Sequence, residues 1–176
     1  MISIDNYIID KIRDEDALSI YELMNNNAIR FQRFFPKTLA QNLTYEDSKK
    51  FALLKSQEHD SKLEFTFVLK DQNPNKIIGL IILKELDWDK KQGEFAYCID
   101  AGYEGKGVMS KAVKEMSRYA LDKLQLRTLQ IVVHESNTGS AKVALNCSYK
   151  WHKTLLNEYT PPNEPQLDME LYELKK

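Results

Sequence analysis

The stretch between residues 94 and 133 limits the possible folds more than any other part of the sequence. A strand pattern over residues 94–99 leads into Ala101-Gly102-Tyr103-Glu104-Gly105-Lys106-Gly107. A helix pattern follows at once, with Met109, Ala112, Val113, Met116 and Ala120 on one stripe. An apolar strand pattern over residues 129–133 comes next. Strand, helix and strand in this order make a crossover, which joins strands of one sheet through a covering helix. The chain is therefore expected to form an α/β sheet.

The flanking segments make that sheet mixed. A first strand is expected at residues 7–12, and Asp14 is placed to cap a helix carrying Ala17, Leu18, Tyr21 and Met24. An aromatic stretch, Phe31, Phe34 and Phe35, precedes Pro36. Thr44 and Asp47 resemble a capping box for a helix running to about His59. Phe65, Phe67 and Leu69 alternate with Thr66 and Val68, and Asn73-Pro74-Asn75 supplies a turn. Residues 77–83 are continuously apolar, as in a strand covered on both faces. A polar loop is expected around Asp87-Trp88-Asp89. A short helix with Ala141, Ala144 and Leu145 and two strands near 149–155 and 167–174 complete the chain. The reading is an α/β (α+β) fold with about seven strands, and no repeat or linker divides residues 1–176.

The turn at Gly105-Lys106-Gly107 has the makings of a phosphate site. Glycines permit tight backbone geometry and remove Cβ atoms that would block a ligand. The unbonded amides of the following helical turn point outward, backed by the positive end of the helix dipole. Known nucleotide loops fit poorly. A Walker A loop needs four residues between its first glycine and Gly-Lys-Ser/Thr, whereas Gly107 follows Lys106. A dinucleotide fingerprint needs a third glycine where Ser110 stands.

Bulk properties narrow the class. Net charge is −1, which leaves no electrostatic footprint for nucleic acid or an anionic membrane. The start, MISIDNYIID, lacks the basic and apolar regions of a signal peptide. The two cysteines, Cys98 and Cys147, have neither metal-ligand nor disulfide spacing and read as core. A cytoplasmic location and the absence of a metal are the corresponding expectations.

Residues 77–149 resemble the GNAT superfamily of acetyl-CoA-dependent N-acetyltransferases, especially its ribosomal-protein N-acetyltransferase-like branch. That family's pyrophosphate motif, Gln/Arg-x-x-Gly-x-Gly/Ala, falls on Glu104-Gly105-Lys106-Gly107-Val108-Met109. Glu104 replaces the usual Gln/Arg, and Met109 replaces a small residue. The branch favours an aromatic-x-Gly-Lys-Gly run, here starting at Tyr103. A second patch agrees independently: Arg127-Thr128-Leu129-Gln130-Ile131-Val132-Val133, then Asn137-Thr138-Gly139-Ser140, and finally Ser148-Tyr149, where Ser148 stands in place of a glycine.

The resemblance implies a GNAT fold with helices on both faces of the sheet and a splayed central strand pair. It further implies acetyl-CoA as co-substrate, with residues 104–110, from Glu104 through Ser110, on the pyrophosphate. The backbone of Tyr97, Cys98 and Ile99 would pair with the pantetheine arm, as in strand addition. Asn137 would bond pantetheine carbonyls, and Ser140 would donate to the CoA sulfur. Glu94 is the first candidate for the base, sharing a strand face with Ala96 and Cys98 in a partly apolar setting. His134 and Glu158 are alternatives. The expected acceptor is a protein N-terminus or a small amine, on a monomer or homodimer. A catalytically silent CoA-binding module of the same fold is the competing reading.

Overall fold

The structure is a computed structural model and describes residues 1–176. Eight strands form one mixed sheet: β1 (Ile2–Ile4), β2 (Tyr7–Lys11), β3 (Phe65–Asp71), β4 (Lys76–Asp87), β5 (Gln92–Ile99), β6 (Thr128–Val133), β7 (Lys150–Tyr159) and β8 (Leu167–Lys175). Their order is β1-β2-β3-β4-β5-β6-β8-β7. Six helices accompany them: α1 (Ala17–Asn26), α2 (Ala28–Phe34), α3 (Pro36–Ala40), α4 (Tyr45–Asp60), α5 (Val108–Asp122) and α6 (Thr138–Asn146). The eighth strand beyond the expected seven is β1, whose three residues are too few to show an alternating pattern.

The chain separates into two compact units, one of Met1–Ile82 with Tyr97–Glu104 and one of Leu83–Ala96 with Gly105–Lys176. In the first, β1-β2-β3 pair antiparallel, with Ile9 opposite Ile2 and Leu69. The core holds Ile12, Ile20, Leu23, Met24, Phe31, Phe51, Val68, Leu80 and Cys98. β3 is buried on both faces, Thr66 included, so its alternation of side chains does not mark a wet side. Thr44 caps α4 by accepting the Asp47 amide at 3.1 Å, as expected. Asp14 does not cap α1. A 3₁₀ turn over Asp14–Asp16 intervenes, and the Asp16 carboxylate reaches back to accept the Arg13 amide at 2.9 Å. The aromatic stretch is two short helices, with Phe31 in the core.

In the second unit, β5 runs parallel to β6, and β6 pairs antiparallel with β8, which pairs with β7. The expected stripe on α5 is buried: Met109, Ala112, Val113, Met116 and Ala120. Beyond the end of α6, Ser148 adopts φ 68°, the left-handed conformation that glycine takes most readily. Its amide donates to Leu145 O, and Tyr149 N donates to Ala144 O, closing the helix. The buried Tyr149 hydroxyl then meets Ser117 Oγ at 2.8 Å. β4 continues through Asp87, four residues beyond its apolar run, so the polar loop begins at Trp88.

Candidate active site

The register between β5 and β6 covers only Gln92↔Thr128, Gly93↔Leu129 and Glu94↔Gln130. β6 stays paired to β8 along its whole length, from Thr128 to Val133, while β5 continues to Ile99. Parallel pairing thus ends at Glu94, and the last third of β5 carries Tyr97, Cys98 and Ile99, the residues expected to offer backbone groups.

The chain past β5 forms a 3₁₀ turn, Ala101–Tyr103, capped by Asp100 through the Gly102 amide at 2.8 Å. Tyr103 donates its hydroxyl to Asp71 Oδ2 at 2.7 Å, a bond that pushes its pKa up to about 12. Gly105 and Gly107 then take φ 71° and 72°. A Cβ at either position would meet no atom within 4 Å, so nothing in the protein requires glycine there except the backbone conformation. Gly107 is the N-cap of α5, and no side chain caps that helix. Residues 104–107 are exposed, whereas Val108 and Met109 are buried. The bulk of Met109 therefore points into the core and does not crowd the turn. Open space, left-handed glycines and an uncapped helix start suit a diphosphate.

Ser110, one turn further, is tied to α6. Its carbonyl accepts from Cys147 Sγ at 3.1 Å and its hydroxyl accepts from Asn146 Nδ2 at 3.3 Å. Asn137 is the N-cap of α6 and accepts the Ser140 amide at 3.2 Å. Asn137 and Ser140 thus share one turn, and the Asn137 oxygen is already in use. Nearby, His134 Nδ1 accepts the Ser136 amide at 3.2 Å, which fixes one ring nitrogen locally. Glu158 is exposed near the end of β7.

Glu94 carries a partner that the sequence reading did not include. Lys84 Nζ lies 2.8 Å from Glu94 Oε1, with the glutamate side chain 19% exposed. The carboxylate is charge-paired, on the residue opposite Gln130 in the register. Next to it, Gln92 donates to Gln130 at 3.0 Å and Gln130 donates to Glu173 at 2.9 Å. Burial works against the charge on Glu173, but Lys175, Gln130 and His152 together hold its carboxyl below the usual value. Cys98 is fully enclosed, and burial pushes its thiol up to about 12; Cys147 is raised to about 11 for the same reason. Burial thus disfavours the thiolate at both cysteines.

Three further residues escaped the motifs. Glu104 is paired with Arg30 of α2, and Arg30 also bonds Asn27, while Lys84 faces Glu94. A signal existed only for Glu104, whose acidic character at a usual Gln/Arg position calls for a cation nearby.

Known proteins resemble this chain over most of its length. The acetyltransferase (GNAT) domain family matches residues 6–150. A probable N-acetyltransferase, YjcK of Bacillus subtilis (strain 168), is 26% identical over 129 residues, 73% of this chain and 71% of its own length. An uncharacterized N-acetyltransferase, p20 of Bacillus licheniformis, is 25% identical over 112 residues, 64% of this chain and 61% of the relative. Among solved structures, a ribosomal-protein-S5-alanine acetyltransferase from Vibrio fischeri superposes with a TM-score of 0.92 at 24% identity, covering 99% of this chain and 95% of that one. A spermidine N-acetyltransferase from Vibrio cholerae, in complex with CoA and spermine, superposes with a TM-score of 0.80 at 19% identity, covering 98% and 96%.

Proposed function

Because the chain belongs to the GNAT acetyltransferases, matched over residues 6–150, we propose that it moves an acetyl group from acetyl-CoA directly to a primary amine. The observation that carries this reading is the uncapped start of α5 behind two left-handed, unobstructed glycines. The main-chain amides of residues 105–110 hold the diphosphate, with Lys106 exposed beside them. Beyond the last β5–β6 register pair, the backbone of Tyr97, Cys98 and Ile99 offers an edge to the pantetheine amides.

Acetyl-CoA supplies a thioester whose C–S bond breaks as the new C–N bond forms. The chain supplies proton handling and hydrogen bonds. Glu94 takes the proton that the attacking amine loses, and Lys84 keeps the carboxylate oriented on β5. Ser140 donates to the departing thiolate, held on its turn by the bond from its amide to Asn137. Asn137 reaches pantetheine through its amide nitrogen, since its oxygen caps α6. The acceptor is a protein N-terminus or a small amine. Among the structural neighbours, the Vibrio fischeri enzyme is named for a ribosomal-protein alanine and the Vibrio cholerae enzyme for spermidine. A cytoplasmic, single-domain protein acting as a monomer or homodimer, without a metal, fits this reading.

The test is thiol release from acetyl-CoA in the presence of a panel of amines that includes N-terminal peptides and polyamines. Acceptor-dependent release supports the proposal. CoA binding with no release on any acceptor points to the catalytically silent module.

A further inference from the structure

The acidic residue at the head of the glycine turn poses a problem of charge. Glu104 immediately precedes Gly105, the first glycine of the turn. A carboxylate a few ångströms from a bound diphosphate repels it, and one unit charge at such a range changes affinity by roughly tenfold. The structure answers with Arg30, which lies 74 residues earlier on α2. Its Nη2 bonds Glu104 Oε1.

Arg30 is itself held in place. Its Nη1 donates to Asn27 Oδ1 at 2.8 Å and to Ile99 O at 3.3 Å, and its guanidinium lies 5.7 Å from the Phe31 ring centroid. Asn27 is only 4% exposed. Its oxygen also accepts the Ala101 amide at 3.0 Å, and its nitrogen donates to Leu23 O at 2.9 Å and to Asp100 Oδ2 at 3.4 Å. A buried amide engaged at both ends is costly to leave half-bonded, so this arrangement is well determined. Residues 99, 100, 101 and 104, the run between the end of β5 and the glycine turn, are all contacted by Asn27 or Arg30.

We propose that Arg30 is a positioning residue of the cofactor site: held in place by Asn27, it cancels the charge of Glu104 at the head of the glycine turn. This rests on the reading that the turn binds CoA. The guanidinium suits the task because its planar fork holds its donors to a carboxylate and to neighbouring oxygens in one fixed geometry.

A double-mutant cycle tests it. Titration calorimetry with CoA is run on wild type, Arg30→Gln, Glu104→Gln and the double variant, with melting temperatures alongside. Arg30→Gln is expected to weaken CoA about tenfold, because the carboxylate is left uncompensated. Glu104→Gln alone is expected to bind CoA at least as tightly as wild type. The double variant is expected to recover to within about threefold of wild type, although it has lost the same α2 contacts as the single Arg30 variant. A double variant as weak as Arg30→Gln would reduce Arg30 to a structural anchor and overturn the proposal, as would an Arg30→Gln affinity equal to wild type. Should Arg30→Gln fail to fold, Glu104→Gln decides: weaker CoA binding by that variant overturns the proposal, and equal or tighter binding supports it. A wild-type protein that does not bind CoA refutes the cofactor reading itself, a result distinct from failed rescue in a protein that does.

Discussion

Helix α5 begins at Gly107, in the left-handed conformation and with no side chain over its first turn, whereas α6 begins at Asn137, whose oxygen accepts the Ser140 amide. Both starts follow a strand or a turn, and both carry the positive end of a helix dipole. The difference lies in what has been done with the free amides. At α6 the protein satisfies one of its own donors and gains stability. At α5 no side chain caps the start, and the two glycines before it would carry a Cβ with no atom within 4 Å. A helix start with no side-chain cap, and with no Cβ on either flanking glycine, has the form that suits a diphosphate.

The largest expected effect separates holding the cofactor at either helix start from turning it over. Glu94→Gln keeps the shape and hydrogen bonding of the side chain but removes proton acceptance. Turnover should fall by about a hundredfold to ten-thousandfold. CoA affinity should stay nearly intact and the deficit should shrink as pH rises, because more acceptor amine is then already neutral. A rate within a few-fold of wild type would transfer the role to His134, Glu158 or water. A collapse in CoA affinity would make Glu94 structural.

Gly107→Val addresses α5 directly. Left-handed backbone costs a non-glycine residue roughly 1–2 kcal/mol, more for a β-branched one, and the new side chain stands where the diphosphate approaches. CoA affinity should drop at least about tenfold, measured by calorimetry on folded protein. Equal affinity in a well-folded variant removes the turn from the cofactor site.

At α6 the contrasting substitution is Asn137→Ala. Loss of a cap costs about 1 kcal/mol, which a melting curve resolves. Turnover and CoA affinity together then report whether Asn137 also serves the cofactor. A stability loss with an unchanged KM for acetyl-CoA would confine it to capping. Smallest of all, Ser148→Gly at the far end of α6 should relieve the left-handed backbone and raise stability by about 0.5–1 kcal/mol, net of the entropy of the added glycine. That corresponds to roughly 1–4 °C in melting temperature. A lower melting temperature would mean that the Ser148 side chain makes a compensating contact.

The two helix starts also differ from their surroundings in how much the sequence discloses. Gly105, Gly107 and the buried stripe of α5 are legible because backbone conformation and helical period leave direct marks in residue type. Thr44 and Asp47 announce α4 for the same reason. The departure at Ser148 was visible as a missing glycine, and its φ of 68° explains why glycine is usual there. Asp14 misled because it opens a 3₁₀ turn ahead of α1, where Asp16 bonds back to the Arg13 amide and no side chain caps α1. The partners of the Glu94 and Glu104 carboxylates were hidden for a different reason. Lys84 reaches Glu94 across a strand connection, and Arg30 reaches Glu104 over 74 residues. Such pairings depend on the sheet register and on helix placement, which leave no local periodicity. The segment holding Arg30 and Asn27 was also the part of the chain with the fewest motif residues.

A crystal structure of the protein with CoA tests the contrast between the two helix starts most directly. The account predicts diphosphate oxygens about 3 Å from main-chain nitrogens of residues 105–110, with the amide of Ser140 still bonded to Asn137. A diphosphate bound at the start of α6, or anywhere away from the Gly105-Lys106-Gly107 turn, would contradict it.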